Sequence, residues 1–153
     1  MVSIIDVKNA QKAWGEGIVA ISSAYSNGSD YVERARFHIE SLYAYSFSSV
    51  LFKPTFAVEE QFRPTFEGAL SYFVGGNSTY SEDNGFAIKG WTGVRFENKD
   101  IIINGTSVMT MGNYFFMTSE GNEIKVEYSF GYIVDNEGKL RIQLHHSSMP
   151  AII

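Results

Sequence analysis

The chain contains no cysteine among its 153 residues. This absence excludes disulfide bonds, thiolate chemistry and cysteine-based zinc sites, and it is typical of a cytoplasmic protein. Lysine and arginine form no cluster and the formal net charge is −5, so nucleic acid and anionic membranes are poor partners. No apolar run approaches the length that crosses a bilayer. We therefore expect no nucleic-acid partner, no membrane partner and a cytoplasmic location.

The first residues also lack a basic region followed by an apolar stretch and a small-residue cleavage site, so the sequence does not predict a signal peptide. The length predicts one domain over residues 1–153, with a core large enough to be stable alone. A domain excised from a larger protein would have the same length and the same lack of a signal peptide.

Helical periodicity predicts two N-terminal helices, over 4–26 and 30–42, and a shorter helix through 66–73. Residues 43–52 are aromatic and serine-rich, which favours a strand. A further strand over 86–96 is interrupted by two glycines, which indicate a bulge.

The remaining chain predicts long strands over 106–118, 123–134 and 139–148, and Asn104-Gly105 is a strong hairpin signal. Helices followed by such a meander predict an α+β fold in which the N-terminal helices pack on a strongly curved antiparallel sheet. A curved sheet closed by helices forms a cone with an interior pocket.

The last strand suggests where that pocket lies. If Leu140, Ile142 and Leu144 face the core, strand alternation continues their line through His146 and Ser148. Buried polar groups need partners or a ligand. Alternation therefore predicts that these two side chains line the pocket and that their neighbours in the sequence turn away. A bulge near Pro150 would reverse the choice.

The adjacent pair His145-His146 invites a metal interpretation, but neighbouring strand residues face opposite ways. The third histidine, His38, lies on the second helix. We favour one buried, hydrogen-bonded ring and one surface ring, and we expect no metal site. Ser147 and Ser148 lack the sequence context of an activated nucleophile.

Other candidates have an ordinary structural interpretation. Thr55 follows Lys53-Pro54 and is suited to stabilising a turn, and Tyr72 lies beside the apolar face of the third helix. Tyr43 and Tyr45 are alternatives to Tyr72 as pocket residues. The acidic pairs at 59–60 and 82–83 are expected to be solvated, and the two methionines at 109 and 111 are expected to lie in the core.

Several segments together resemble the iota-class carbonic anhydrase family within the nuclear-transport-factor-2-like superfamily, which also includes the association domain of calcium/calmodulin-dependent kinase II. The matching segments cover about residues 50–150 and read LFKPT (51–55), FRPT (62–65), ALSYFVG (69–75), EDNGFAI (82–88), VEYSFGY (126–132) and LHHSSMP (144–150).

This resemblance implies reversible hydration of carbon dioxide to bicarbonate. It also implies a site that needs no metal or other cofactor, although other members of the family are metal-dependent. It implies catalytic hydroxyls from Thr55, Tyr72 and the serine pair of the last strand. Strand alternation selects Ser148 from that pair and places His146 beside it in the substrate site. Domains of the superfamily usually pair sheet to sheet, so a homodimer through the sheet face is expected.

Two other classes of function are compatible with the same fold. A non-catalytic association module would use the sheet for oligomerisation and would leave the pocket vestigial. A different small-molecule enzyme or binder, such as an isomerase, would want a carboxylate in the pocket, for which Glu127 is the best candidate.

Overall fold

The computed structural model describes residues 1–153. It contains three α-helices, two before the first strand and one between the first and second strands. They are α1 (Ile4–Ser26), α2 (Tyr31–Leu42) and α3 (Phe66–Val74), and short 3₁₀ turns follow at Ser78–Tyr80 and Phe86–Ile88. Each helix begins at a side-chain cap that its local sequence supplies: Ser3, Asp30 and Thr65 each accept a backbone N–H three residues on. The predicted helices are confirmed.

One five-stranded sheet follows the order β1-β5-β4-β3-β2. Its strands are β1 (Leu51–Lys53), β2 (Gly93–Asn104), β3 (Ser107–Met117), β4 (Glu123–Val134) and β5 (Leu140–Ser148). The meander from β2 to β5 is antiparallel, as predicted, whereas β1 pairs with β5 in parallel. The α+β prediction is confirmed, with a mixed sheet in place of a purely antiparallel one.

Two strand predictions need correction. The segment 43–52 forms a strand only over Leu51–Lys53, with an isolated bridge from Tyr43 to Ile142. The segment 86–96 begins as a 3₁₀ turn, and its strand starts only at Gly93. Gly90 has a φ of +82° and belongs to the connection between the two, not to a bulge.

Two bulges bend the sheet, and each lies opposite a glycine on the neighbouring strand. In β2 the pairing shifts between Asn98 and Asp100, where a Cβ on Gly112 would meet the Glu97 carbonyl oxygen at 2.1 Å. In β5 the pairing shifts between Gly131 and Tyr132 of the partner strand. Each bulge adds a residue to one strand, bends it, and exchanges the faces of the residues beyond it.

The helices cover one face of the sheet, and the core lies between them. Twenty-six buried apolar residues form this core, drawn from all three helices, from every strand except β2, and from the connecting segments, while β2 contributes partly buried side chains. The opposite face is open: Met109 and Met111 are 60% and 57% exposed, so the prediction that they lie in the core is wrong. No helix combines the length and the apolar character that a bilayer crossing requires.

Candidate functional site

The bulge in β5 decides which polar side chains of the last strand enter the cone. Ile142 pairs with Tyr132, and Leu144 pairs with Gly131, so Gln143 is the extra residue. Beyond it the buried positions are His145 (2% exposed) and Ser147 (1%). The predicted inward positions His146 and Ser148 instead face the open side of the sheet. The prediction is wrong because it assumed regular alternation along β5, whereas the extra residue Gln143 exchanges the two faces of the strand beyond it.

Thr55 meets Ser147 inside the cone. The hydroxyl oxygens are 2.6 Å apart. The short parallel pairing of Lys53 with His146 brings the end of β1 beside the end of β5, and Pro54 then directs the chain inward. The Lys53 ammonium group donates to the Ser147 carbonyl at 3.1 Å and fixes this junction.

Tyr114 on β3 joins the same group of hydroxyls. Its phenol donates to the Ser147 hydroxyl at 2.5 Å and lies 3.1 Å from Nε2 of His145. On the other side of the imidazole, Tyr43 lies 2.8 Å from Nδ1 and accepts the indole N–H of Trp14 at 3.0 Å. Both ring nitrogens of the buried histidine are therefore engaged by tyrosines.

Tyr72 closes the group from α3. Its ring is 6% exposed and stacks on Phe86, and its phenol accepts the Phe56 N–H at 3.4 Å. Burial raises the pKa of Tyr72, and hydrogen bonding with Thr55 offsets part of that rise. We call Thr55, Tyr72, Tyr114 and Ser147 the hydroxyl cluster.

An open cleft of about 430 Å³ adjoins the hydroxyl cluster and is lined in part by Phe56, Tyr72 and Phe86. Its rim carries both apolar rings and the charged side chains of Glu82, Asp83 and Lys89. Four other hollows of comparable volume are lined by no member of the hydroxyl cluster. The cleft is the opening through which a small molecule would reach Tyr72.

The imidazole of His145 is held neutral. Its ring stacks on Phe52 with centroids 4.7 Å apart. Burial, with smaller contributions from His38 and His146, lowers the pKa of His145 well below its ordinary value. Burial likewise raises the pKa of Tyr114, so at neutral pH both groups are uncharged and act through hydrogen bonds.

No group of three or more His, Asp or Glu side chains is arranged to hold a metal ion. Both nitrogens of His145 have tyrosine partners, and the ring of His38 is 1% exposed and enclosed between the helices. His146 lies on the open face. The expectation that adjacent histidines face opposite ways is confirmed.

Two other candidates from the sequence, Tyr45 and Glu127, lie outside the site. Tyr45 donates to the Arg63 carbonyl, away from the hydroxyl cluster. Glu127 is exposed on the open face, so it supplies no carboxylate to the cone.

Of the acidic pairs, 59–60 are exposed as expected, but Asp83 is not solvated. Its carboxylate accepts hydrogen bonds from both terminal guanidinium nitrogens of the buried Arg63, at 2.7 and 2.8 Å. The carboxylate of Glu82 accepts the backbone N–H groups of residues 58–60. These two acids therefore hold the segment that follows Thr55.

Sequence reasoning missed Tyr114 and placed His145 and Ser147 on the wrong face, whereas Tyr43 was considered only as an alternative to Tyr72. A usable signal for Tyr114 was its period-two relation to Val108 and Phe116, all on the buried face. Gly131 was the available signal that His145 and Ser147 face inward, since a glycine within a strand often marks a bulge in one of the paired strands.

The fold and the buried hydroxyl cluster define a small α+β domain of the nuclear-transport-factor-2-like class. The chain is similar in fold to a nuclear-transport-factor-2-like family protein from Streptomyces avermitilis, with a TM-score of 0.59 and 11% identity over 97% of this chain and 96% of that one.

A family model described as "Metal-independent carbonic anhydrase" matches residues 5–149. The chain belongs to this family. It is 43% identical over 148 residues to a metal-independent carbonic anhydrase from Nostoc sp., covering 95% of this chain and 72% of that protein. It also matches the crystal structure of a cyanobacterial iota-carbonic anhydrase complexed with bicarbonate, with a TM-score of 0.97 and 41% identity over 99% of this chain and 94% of that one.

Proposed function

We propose that this chain hydrates carbon dioxide reversibly to bicarbonate, without a cofactor, and that Thr55, Tyr72 and Ser147 are its catalytic hydroxyls. Membership of the metal-independent carbonic anhydrase family supports the reaction. The observation that carries the assignment of residues is the 2.6 Å contact between Thr55 and Ser147, inside the cone and beside Tyr72.

The walls of the site suit both reactant and product. Carbon dioxide is small and apolar, and Tyr72 and Phe86 line the cleft with stacked rings, while Tyr72 also packs edge-on against Phe52. Bicarbonate is an anion, and the ammonium group of Lys53 lies at the same junction, within 3.4 Å of the Thr55 carbonyl oxygen. A cation beside aligned hydroxyl donors stabilises negative charge in a site of low dielectric.

The reaction forms one bond between the oxygen of water and the carbon of carbon dioxide, and water loses one proton. Negative charge develops on the oxygens that become bicarbonate, where hydroxyl donors from Thr55 and Tyr72 stabilise it. Tyr72 keeps its proton at neutral pH because burial raises its pKa. The released proton passes to solvent or buffer through the adjoining cleft, since the neutral His145 is a poor base.

The direct test is hydration of carbon dioxide by chelator-treated protein whose metal content has been measured. We expect a stopped-flow pH-indicator assay to show catalysis above the buffer rate with less than stoichiometric metal. Activity that appears only when a divalent metal is restored would refute the metal-free proposal. Absence of activity under both conditions would favour the non-catalytic association module.

Adjacent serines give a matched pair of variants. Ser147→Ala removes a hydroxyl inside the cone that holds Thr55, and we expect kcat/KM to fall by about 100-fold because the Thr55 donor is no longer preorganised. Ser148→Ala removes a hydroxyl on the open face, whose side chain donates to Glu127 at 3.3 Å, and we expect little change. The reverse result would show that the assignment of faces in β5 is wrong.

We also propose that the open sheet face pairs with a second copy of the chain to form a homodimer. The exposed apolar side chains Ile102, Met109 and Met111 share that face and support the proposal. The cytoplasmic location stays a prediction from the sequence.

A further inference from the structure

Six polar side chains form a continuous series of hydrogen bonds from α1 to the hydroxyl cluster. Successive donor–acceptor distances along it are 3.0, 2.8, 3.1, 2.5 and 2.6 Å. We call this series the donor chain; in order, it consists of Trp14, Tyr43, His145, Tyr114, Ser147 and Thr55. All but Thr55 are at least 98% buried, so water does not supply alternative partners within it.

The direction of donation is fixed at the first member. An indole N–H can donate but cannot accept, so the oxygen of Tyr43 accepts from Trp14. The hydrogen of Tyr43 then has one remaining polar partner, which is Nδ1 of His145. A neutral imidazole carries one hydrogen, and with Nδ1 accepting, that hydrogen lies on Nε2 and donates to Tyr114.

The same direction continues to the end of the series. Tyr114 accepts from the imidazole and donates to Ser147, which is the direction that the bond angles at this contact give independently. Ser147 then donates to Thr55. Because the oxygen of Thr55 accepts this bond, its own hydrogen points away from Ser147, toward the phenol oxygens of Tyr72 and Tyr114, where a bound anion would compete for it.

We propose that the donor chain makes Thr55 an obligatory hydrogen-bond donor to bicarbonate and to the transition state, and that Trp14 and Tyr43 are positioning residues that set this polarity by holding His145 in its Nε2–H tautomer. The proposal rests on the proposed function for the identity of the ligand. Neither positioning residue touches the substrate; each acts through the residues between it and Thr55.

The opposite direction of donation along the donor chain is unfavourable because of Tyr43. In that arrangement the phenol oxygen would accept from both Trp14 and Nδ1 of His145, and its own hydrogen would be buried without an acceptor. The usual penalty for such an unsatisfied donor corresponds to a preference of about 5- to 150-fold for the forward arrangement. Donors in a series that all point one way also polarise one another, which strengthens the terminal donor at Thr55.

The tautomer of His145 can be measured without any activity assay. In protein labelled with ¹⁵N-histidine, long-range ¹⁵N–¹H correlation spectra distinguish a protonated ring nitrogen from an accepting one. We expect the signal of His145, assigned by its loss in His145→Gln, to show a protonated Nε2 and an accepting Nδ1 at neutral pH. A protonated Nδ1 in the wild-type protein would overturn the proposal.

Variants test which residues set the polarity. Trp14→Phe and Tyr43→Phe should each bring the two ring-nitrogen shifts of His145 closer together, weaken bicarbonate binding and lower kcat/KM by about tenfold, equivalent to about 1.4 kcal/mol. Tyr132→Phe is the matched control, because it removes a buried hydroxyl that has no hydrogen-bond partner and lies outside the donor chain; its His145 spectrum should match the wild type.

Two outcomes separate this proposal from the proposed function. Unchanged His145 shifts in both Trp14→Phe and Tyr43→Phe would overturn the role of the donor chain even if the enzyme is active. A protein with the expected tautomer, sensitive to both variants, but without hydration activity would refute carbonic anhydrase function and the bicarbonate part of the proposal together, while the polarity would stand. If one variant does not fold, the other variant and the wild-type spectrum still decide the question.

Discussion

Acid should destabilise this protein through its buried histidines, and His38 offers the clearest test. The ring is 1% exposed and neither nitrogen has a hydrogen-bond partner. It packs against Trp14 and Phe73, and a Cβ at Gly17 would lie 2.0 Å from its Nδ1. Burial, with a smaller contribution from Arg34, lowers the pKa of His38 from 6.5 to about 3.

The depressed pKa fixes the sign of the effect. The unfolded chain takes up a proton near pH 6.5, whereas the folded chain does not until about pH 3, so stability is complete above 6.5 and is lost as the pH falls between these values. Each pH unit in that window costs about 1.36 kcal/mol. At about pH 4.5 the cost for His38 is about 2.7 kcal/mol, and His145, whose pKa is also lowered well below its ordinary value, adds a cost of the same sign.

The variant His38→Leu should remove one of these two contributions. We expect its free energy of unfolding in urea, followed by far-ultraviolet circular dichroism, to exceed the wild-type value by about 1 kcal/mol at neutral pH, because two unpartnered polar atoms are gone. Its dependence on pH between about 4.5 and 6.5 should be shallower by about 1.36 kcal/mol per pH unit.

Tyr132→Phe separates the two effects. It also removes a buried polar atom without a partner, but its phenol does not ionise in acid because burial raises its pKa. Its stability should therefore rise at every pH without a change in slope. An acid slope in His38→Leu equal to that of the wild type would refute the assignment of a neutral, proton-excluding histidine between α1 and α2.

Three further perturbations follow from the contacts described above. Arg63→Lys loses the two-pronged pairing with the buried carboxylate of Asp83, and its free energy of unfolding in urea should fall by about 3 kcal/mol. Glu82→Gln weakens the bonds from the N–H groups of residues 58–60, so hydrogen exchange at those amides should accelerate roughly tenfold or more. Met111→Lys places a charge on the open sheet face and should shift the proposed homodimer toward monomer in sedimentation, whereas an unchanged dimer would refute that face as the interface.

The fold could be predicted from the sequence because its signals are local. Helix caps, the Asn104-Gly105 hairpin and the three long strands each depend on neighbouring residues. The face of a residue in the last strand does not: it depends on one extra residue, Gln143, and on Gly131 in the partner strand. A single shift in pairing exchanged His146 for His145 and Ser148 for Ser147 as the inward-facing side chains.

The difficulty of predicting which face a strand residue occupies also explains the wrong prediction for the methionines of β3. Met109 and Met111 alternate with Val108, Thr110 and Gly112, and either set could face the core on hydropathy alone. Only the aromatic positions farther along the strand decide between them, because Tyr114 and Phe116 are each 1% exposed. Placing the methionines inward would have turned Tyr114 outward, and this is why its phenol was absent from the predicted site.

The buried imidazole of His145 connects the acid sensitivity of the fold with the proposed chemistry. A neutral ring can accept at one nitrogen and donate at the other, so it can transmit donor direction from Tyr43 to Tyr114. A protonated ring would donate at both nitrogens and would break that relation. The burial that lowers its pKa therefore preserves the polarity of the donor chain, and the same burial makes acid unfolding easier. On this reasoning His145→Gln should reduce the acid slope and the hydration rate together, whereas His38→Leu should change the slope alone.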